Sequence, residues 1–317
     1  MMTEPTLEVI RAAAERIRPY IHRTPILTSA TCNRMCKAEL FFKCENLQKA
    51  GAFKIRGATN AVFSLTDAEA ARGVATHSSG NHAAALALAA RHRGITAYVV
   101  MPENAPPVKR AAVEGYGGQV FTCVSTLQAR ETRLAEVVAL TGATVVHPYN
   151  DYRVIAGQAT AALELLEDVP DLDVVMAPVG GGGLLSGTAL TVSGVSPRAR
   201  VIAAEPERAD DAYRSVQAGH IIPLNQTDTI ADGLRTSLGD LTFPIIQKHV
   251  EQIARVSEEA IISTTRLVWE RMKIVVEPSG VLPLAALLSN AIDLHGKRVG
   301  IIFSGGNIDL DHLSWLR

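Results

Sequence analysis

The chain has 317 residues, enough for one large domain or two modest ones around a well-buried core, and its 47% hydrophobic and 20% charged content is that of an ordinary globular protein. Thirty-one Lys and Arg face 32 Asp and Glu, a formal net charge of −1 that offers no field for nucleic acid or an anionic membrane. The four cysteines, Cys32, Cys36, Cys44 and Cys123, lack a second Cys or His pair at zinc spacing, and so few unpaired thiols suit a reducing, cytoplasmic setting.

In chain order, residues 1–20 predict an amphipathic helix, with Leu7, Ile10, Ala14 and Ile17 on one face and Glu8, Arg11, Glu15 and Arg18 among the others. That pattern is neither a signal peptide nor a membrane span. Next comes Gly51-Ala52-Phe53-Lys54-Ile55-Arg56-Gly57-Ala58, which sets a lysine among small and apolar neighbours. Desolvation there would lower the amine's pKa and make it a nucleophile, a Schiff-base former and a base, although most lysines are solvated surface residues.

From residue 73 onward β-rich runs alternate with helical ones. Gly73 to His77, Thr96 to Met101, Gln119 to Val124, Thr144 to His147, Asp173 to Val179, Arg200 to Ala204 and Arg298 to Phe303 read as buried strands. Asn81 to Arg93, Pro107 to Tyr116, Leu127 to Leu140, Ile155 to Glu167 and Glu258 to Met272 read as helices. The alternation predicts an α/β fold with mostly parallel sheets and right-handed crossovers. Four β/α steps form a small domain over residues 73–150, inserted in a large one made of residues 1–72 and 151–317.

Three more polar islands sit at strand ends. Ser78-Ser79-Gly80-Asn81-His82 brings hydroxyls, an amide and a helix start to one spot suited to a carboxylate, or is an ordinary N-cap by Ser78 or Ser79. Gly180-Gly181-Gly182-Gly183-Leu184 follows an apolar strand and opens a helix, as a phosphate cradle or a plain tight turn would. It lacks the glycine offsets of a dinucleotide fingerprint, yet Glu205 lies near the distance of a ribose-binding acid, so a nicotinamide- or nucleotide-binding protein without covalent catalysis is a rival reading. Ser304-Gly305-Gly306-Asn307 ends another strand, as ligand loop or simple turn.

Together with Phe42-Lys43-Cys44-Glu45-Asn46, Thr229-Ile230-Ala231-Asp232-Gly233 and Trp269-Glu270-Arg271-Met272, these islands closely resemble the fold-type II pyridoxal-phosphate enzymes, specifically the serine/threonine dehydratase and serine racemase group, over essentially the whole chain. The resemblance implies two open, mostly parallel, doubly wound sheets. It implies that Lys54 holds pyridoxal phosphate as a Schiff base with Phe53 near the ring, and that Asn81 bonds the ring hydroxyl. Gly180, Gly181, Gly182, Gly183 and Leu184 would cradle the phosphate, Gly233 would lie beside the cofactor, and Ser304 would face the pyridine nitrogen. A neutral serine there suits elimination better than transamination. Lys54 would remove the Cα proton of a small amino-acid substrate, the β-hydroxyl would leave, and a keto acid and ammonia would follow. Ser78, Asn81 and His82 would hold the substrate carboxylate, with Arg130 as a further substrate contact.

Ser79 resembles the serine racemase and threo-3-hydroxyaspartate ammonia-lyase branch, where threonine dehydratases usually carry alanine. Its hydroxyl could return a proton from the other side and permit racemisation. The same branch implies a site for Mg²⁺, Ca²⁺ or Mn²⁺ at Glu205, Ala209 and Asp211, and a homodimer. Ala50 and Ala52 depart from the animal serine racemase pattern and put nucleotide control in doubt, and Ala84 replaces a usual glutamine. A lyase for L-serine, L-threonine or threo-3-hydroxyaspartate is therefore expected, a dedicated hydroxyaspartate enzyme being its nearest alternative. A catalytically silent homologue fits less well, because each catalytic position holds a competent residue.

Overall fold

The computed structural model describes residues 3–224, 228–311 and 313. Among them the strands run Ile26–Leu27 (β1), Glu39–Cys44 (β2), Val74–His77 (β3), Ala97–Pro102 (β4), Gln119–Cys123 (β5), Thr144–Val145 (β6), Val174–Pro178 (β7), Arg200–Pro206 (β8), Gln252–Val256 (β9) and Arg298–Phe303 (β10). One sheet has the order β1-β2-β10-β7-β8-β9, parallel apart from β1. The other has the order β5-β4-β3-β6 and is wholly parallel. The α/β fold with two open, mostly parallel sheets is the one expected.

Both sheets are covered on two faces, which is why their strands read as apolar runs rather than as alternations. Val174 and Met176 of β7 join Val299, Ile301 and Phe303 of β10 in a core shared with Leu282, Leu284 and Ala285 of the helix Pro278–Leu288. Val175, Ala177 and Ile302 point the other way, against Leu184 and Leu185 of the helix Gly183–Val195. The pleat alone makes this division, since successive strand side chains point to opposite faces. In the four-stranded sheet, Val74 and Val99 meet the alanine-rich helix Asn81–Arg93, while Ala75 and Val100 meet Leu134 and Val137 of the helix Leu127–Thr141.

Several boundaries differ from those expected. The first helix is Leu7–Ile17, capped by Thr6, whose hydroxyl accepts from Val9 N–H, and it buries Ile10, Ala13 and Ile17. It gives way at Arg18–Tyr20 to a 3₁₀ turn carrying Pro19. The strand expected over Thr144 to His147 stops at Val145. His147 turns the chain instead, its Nδ1 accepting from the Tyr149 and Asn150 N–H groups. β1, β2 and β9 lie outside the regular alternation and went unread as strands. Among the described residues no helix is long and apolar enough to cross a membrane.

Candidate active site

The carboxyl ends of β3, β4, β7 and β10 converge, the place where open α/β sheets take ligands. There a cavity of about 710 Å³ is lined by Lys54, Ser79, the run Gly180–Leu184, Ser304, Arg130 and Glu277, among others. The chemistry-bearing islands of the sequence thus share one cleft.

Lys54 is the first residue of the helix Lys54–Phe63. The loop before it is tied to the end of β10, because Phe53 N–H donates to the Ser304 carbonyl at 3.0 Å and Ala52 bridges Gly305. Its Nζ donates to the Pro148 carbonyl at 2.9 Å and stands 5.1 Å from the centre of the Phe53 ring. Burial lowers its pKa to about 8, with Glu277 pulling weakly the other way. A large share of the amine is therefore uncharged near pH 8, the form that attacks a carbonyl or takes a proton.

The glycine run is dictated by close approach. A Cβ on Gly181 would stand 2.3 Å from the Tyr149 ring, and one on Gly180 would stand 2.9 Å from the Leu234 backbone. Gly182 sits at φ +88°, which glycine adopts without penalty. The helix Gly183–Val195 has no side-chain cap, so its first N–H groups lack both intrahelical and side-chain partners. Bare donors at a helix start are an anion seat.

The helix Asn81–Arg93 starts the same way. The serine N-cap considered from sequence is absent: Gly80 occupies that position, and Ser78 Oγ accepts only from the Gly80 N–H, at 3.3 Å. Ala83 N–H is taken by the Gly80 carbonyl at 3.0 Å, which leaves the N–H groups of Asn81 and His82 for a ligand. Asn81 donates from Nδ2 to both Glu277 oxygens and accepts at Oδ1 from Asn307. His82 is 2% exposed and its Nε2 donates to the Val146 carbonyl, so it offers the cleft its backbone N–H rather than its ring. Burial pushes that ring down to about 3 and His147 down to about 4, which keeps both neutral.

Ser79 and Ser304 line the cavity, as does Gly233, whose N–H donates to Ser279 Oγ at 3.0 Å. Arg130 reaches the cavity from the helix Leu127–Thr141, its Nε 3.4 Å from the Thr126 carbonyl. Glu205, Ala209 and Asp211 form a separate buried group at the end of β8. Glu205 accepts from the Ala212 and Tyr213 N–H groups, whereas the Asp211 carboxylate has no side-chain partner and is approached only loosely by the backbone N–H groups of Leu238 and of Asp211 itself. Burial raises both carboxyls, Asp211 to about 7, and Asp211 pushes Glu205 further up. Buried carboxylate oxygens held so loosely fit a hard cation. No cluster of three or more His, Cys, Asp or Glu occurs among the described residues, so such a cation would draw on the Ala209 carbonyl as well.

Glu277, Tyr149 and the Lys109–Asp232 ion pair also line the cleft and were missed. Glu277 precedes Pro278 at a helix start after an apolar run, a signal that marks a helix N-terminus but not its contact with Asn81. Pyridoxal phosphate fits these residues: a half-buried amine with no carboxylate in a salt bridge to it, a glycine cradle that a Cβ would fill, and a neutral hydroxyl at Ser304.

Comparison with known proteins agrees. Residues 17–305 match the family described as pyridoxal-phosphate dependent enzyme. The chain is 55% identical over 311 residues to the beta-hydroxyaspartate dehydratase of Paracoccus denitrificans, covering 98% of this chain and 99% of that protein. It is 52% identical to the serine racemase of Arabidopsis thaliana, covering 96% and 93%. The structure of maize serine racemase superposes with a TM-score of 0.96 at 47% identity, covering 98% and 96%. An amine-bearing, glycine-cradled cleft on this fold, matched across nearly the whole chain, makes it a member of the fold-type II pyridoxal-phosphate-dependent enzymes, in the branch of serine racemases and beta-hydroxyaspartate dehydratase.

Proposed function

We propose that the protein is an ammonia-lyase for small β-hydroxy amino acids, with 3-hydroxyaspartate favoured over serine and threonine, and that it exchanges the Cα proton reversibly as a side reaction. The carrying observation is that Arg130 lines the same cavity as Lys54 and the uncapped helix start at Asn81. One anion seat serves the α-carboxylate, and the guanidinium serves a second carboxylate. The 55%-identical relative that acts on beta-hydroxyaspartate supports this order.

Bound pyridoxal phosphate supplies the electron sink that makes the Cα–H bond acidic. The protein's part is positional and acid–base. The N–H groups of Gly180–Leu184 take the phosphate, and Ser304 offers the pyridine nitrogen a neutral hydroxyl in place of a carboxylate. Ser78, Asn81 and the N–H of His82 orient the substrate carboxylate. Lys54 removes the Cα proton, after which the β-hydroxyl leaves; Ser79 supplies the hydroxyl that returns a proton in racemisation. Glu205, Asp211 and the Ala209 carbonyl hold Mg²⁺ or a similar cation that stiffens the end of β8.

A proton NMR time course in D₂O, with magnesium and pyridoxal phosphate, on L-threo-3-hydroxyaspartate, L-serine and L-threonine tests this reading. Fastest keto acid formation from hydroxyaspartate, with that preference lost in Arg130→Ala, is expected. Equal or better turnover of serine would remove the dicarboxylate assignment, and silence on all three would remove the lyase assignment.

A further inference from the structure

Two islands of the sequence carry more structure than the reaction uses. Gly51 and Ala52 lie against Gly305 and Gly306: Gly306 N–H donates to the Gly51 carbonyl at 2.9 Å, and Glu277 N–H donates to the Gly305 carbonyl at 3.0 Å. Within this seam a Cβ on Gly51 would fall 2.2 Å from Asn307 Oδ1, and one on Gly305 would fall 2.6 Å from Glu277 Oε1. The glycines leave room for two polar side chains, and both of these converge on Asn81.

The hydrogen bonds fix each amide's orientation in turn. Ala50 offers a carbonyl, which can only accept, so the atom of Asn307 at 2.7 Å from it is Nδ2. The same Nδ2 lies 3.0 Å from Asn81, which places Asn81 Oδ1 there as acceptor. Asn81 Nδ2 is thereby turned to Glu277, at 2.9 and 3.3 Å from its two oxygens. A three-centre bond to one carboxyl uses one N–H and leaves the second free. Asn81 belongs to the segment of the four-stranded sheet, and Glu277 and Asn307 to that of the six-stranded one.

We propose that Glu277 and Asn307 are positioning residues that clamp the Asn81 amide between the two sheet segments, so that its one free N–H is aimed at the ring hydroxyl of pyridoxal phosphate. The assignment rests on the cofactor role of Asn81 in the reading above. Glu277 is 4% exposed, and burial raises its pKa to about 8. The shift favours the neutral carboxyl, whose shape and acceptor oxygen glutamine reproduces.

The clamp is tested first without cofactor, by the side-chain amide resonances of Asn81 in apoprotein labelled with ¹⁵N-asparagine. Glu277→Ala and Asn307→Ala are expected to shift its two N–H signals toward the positions of a solvent-exposed asparagine and speed their exchange, whereas Glu277→Gln leaves them near their wild-type positions. The second arm titrates pyridoxal phosphate into the same apoproteins. Affinity should fall about tenfold in the two alanine variants, the worth of one lost buried hydrogen bond, with a shifted long-wavelength band and wild-type behaviour in Glu277→Gln. Asn81 signals unchanged in both alanine variants would overturn the clamp whatever the cofactor does. So would an affinity and band that stay unchanged in them while Asn81→Ala alters both. Absence of any lysine-linked band in the wild type would strike the cofactor reading alone, since the resonance arm still decides the clamp. Thermal melts of the apoproteins show that each variant is folded.

Discussion

Lys43 is fully buried and Lys54 half-buried, both near the start of the chain, and they are treated in opposite ways. Lys43 Nζ donates to Glu164 at 2.6 Å and to the Thr24 carbonyl at 2.8 Å. Glu164 and Glu45 both also hold Arg56, so two cations face two carboxylates in a closed network. Burial lowers the Lys43 pKa, and the adjacent Glu164 opposes that loss. Lys54 donates to a neutral carbonyl instead, and burial takes it to about 8. Burial alone does not make a lysine reactive. What distinguishes Lys54 is that no carboxylate is hydrogen-bonded to its amine.

The sharpest break of this contrast is Lys54→Ala. Turnover should fall roughly a thousandfold or more, with the melting temperature of the apoprotein nearly unchanged; a comparable loss of fold would make Lys54 structural. The mirror experiment is Arg56→Met, which takes from Glu45 its only cation among the described residues and leaves Glu164 to Lys43 alone. It should cost about 3–5 kcal/mol in a denaturant melt, while an unchanged midpoint would show that the network is not a stabilising unit.

Glu277→Gln probes the other buried group near Lys54. A carboxyl raised from 4.5 to about 8 on folding binds more protons in the native state than in the unfolded chain between those values. Wild-type stability therefore falls as pH rises from 4.5 to about 8 and levels off above it. The variant should gain over wild type across that window, a trend read by melts at several pH values and absent if Glu277 is ionised in the native state. Lys54 acts on the other side: its native pKa of about 8 lies below the ordinary 10.5, so its contribution to stability improves as pH rises between them.

The smallest effect is at Asp211, a buried acid with no side-chain hydrogen-bond partner. Magnesium should raise the melting temperature by a few degrees, and Asp211→Asn should remove that rise. An equal rise in the variant would place the cation elsewhere.

The same contrast explains what the sequence could reveal. Lys54 stands among Gly51, Ala52, Phe53 and Gly57, and the strand ends at Ser78, Gly180 and Ser304 carry their own polar signals, so the cleft was legible. Lys43 sits between Phe42 and Cys44 in an equally apolar setting, yet its partner Glu164 comes from the distant helix Tyr152–Asp168. No local pattern separates a neutralised lysine from a free one. Glu277 was missed for the same reason, because its meaning lies in Asn81, which packing brings to it. The alternation gave both sheets but not β1, β2 or β9, and the end of β6 was overrun because Thr144 to His147 continues the β-branched run up to Pro148, while the turn itself is made by His147 Nδ1 accepting from Tyr149 and Asn150 N–H.

The central claim is that Lys54 is the lysine whose desolvation no hydrogen-bonded carboxylate offsets. Trapping with pyridoxal phosphate and borohydride over a pH series, followed by peptide mapping, tests it most directly. Modification confined to Lys54, with a rate that rises through a midpoint near pH 8 and with Lys43 untouched, is the expected result. Labelling at Lys43, or a midpoint near the 10.5 of an ordinary lysine, would contradict the account.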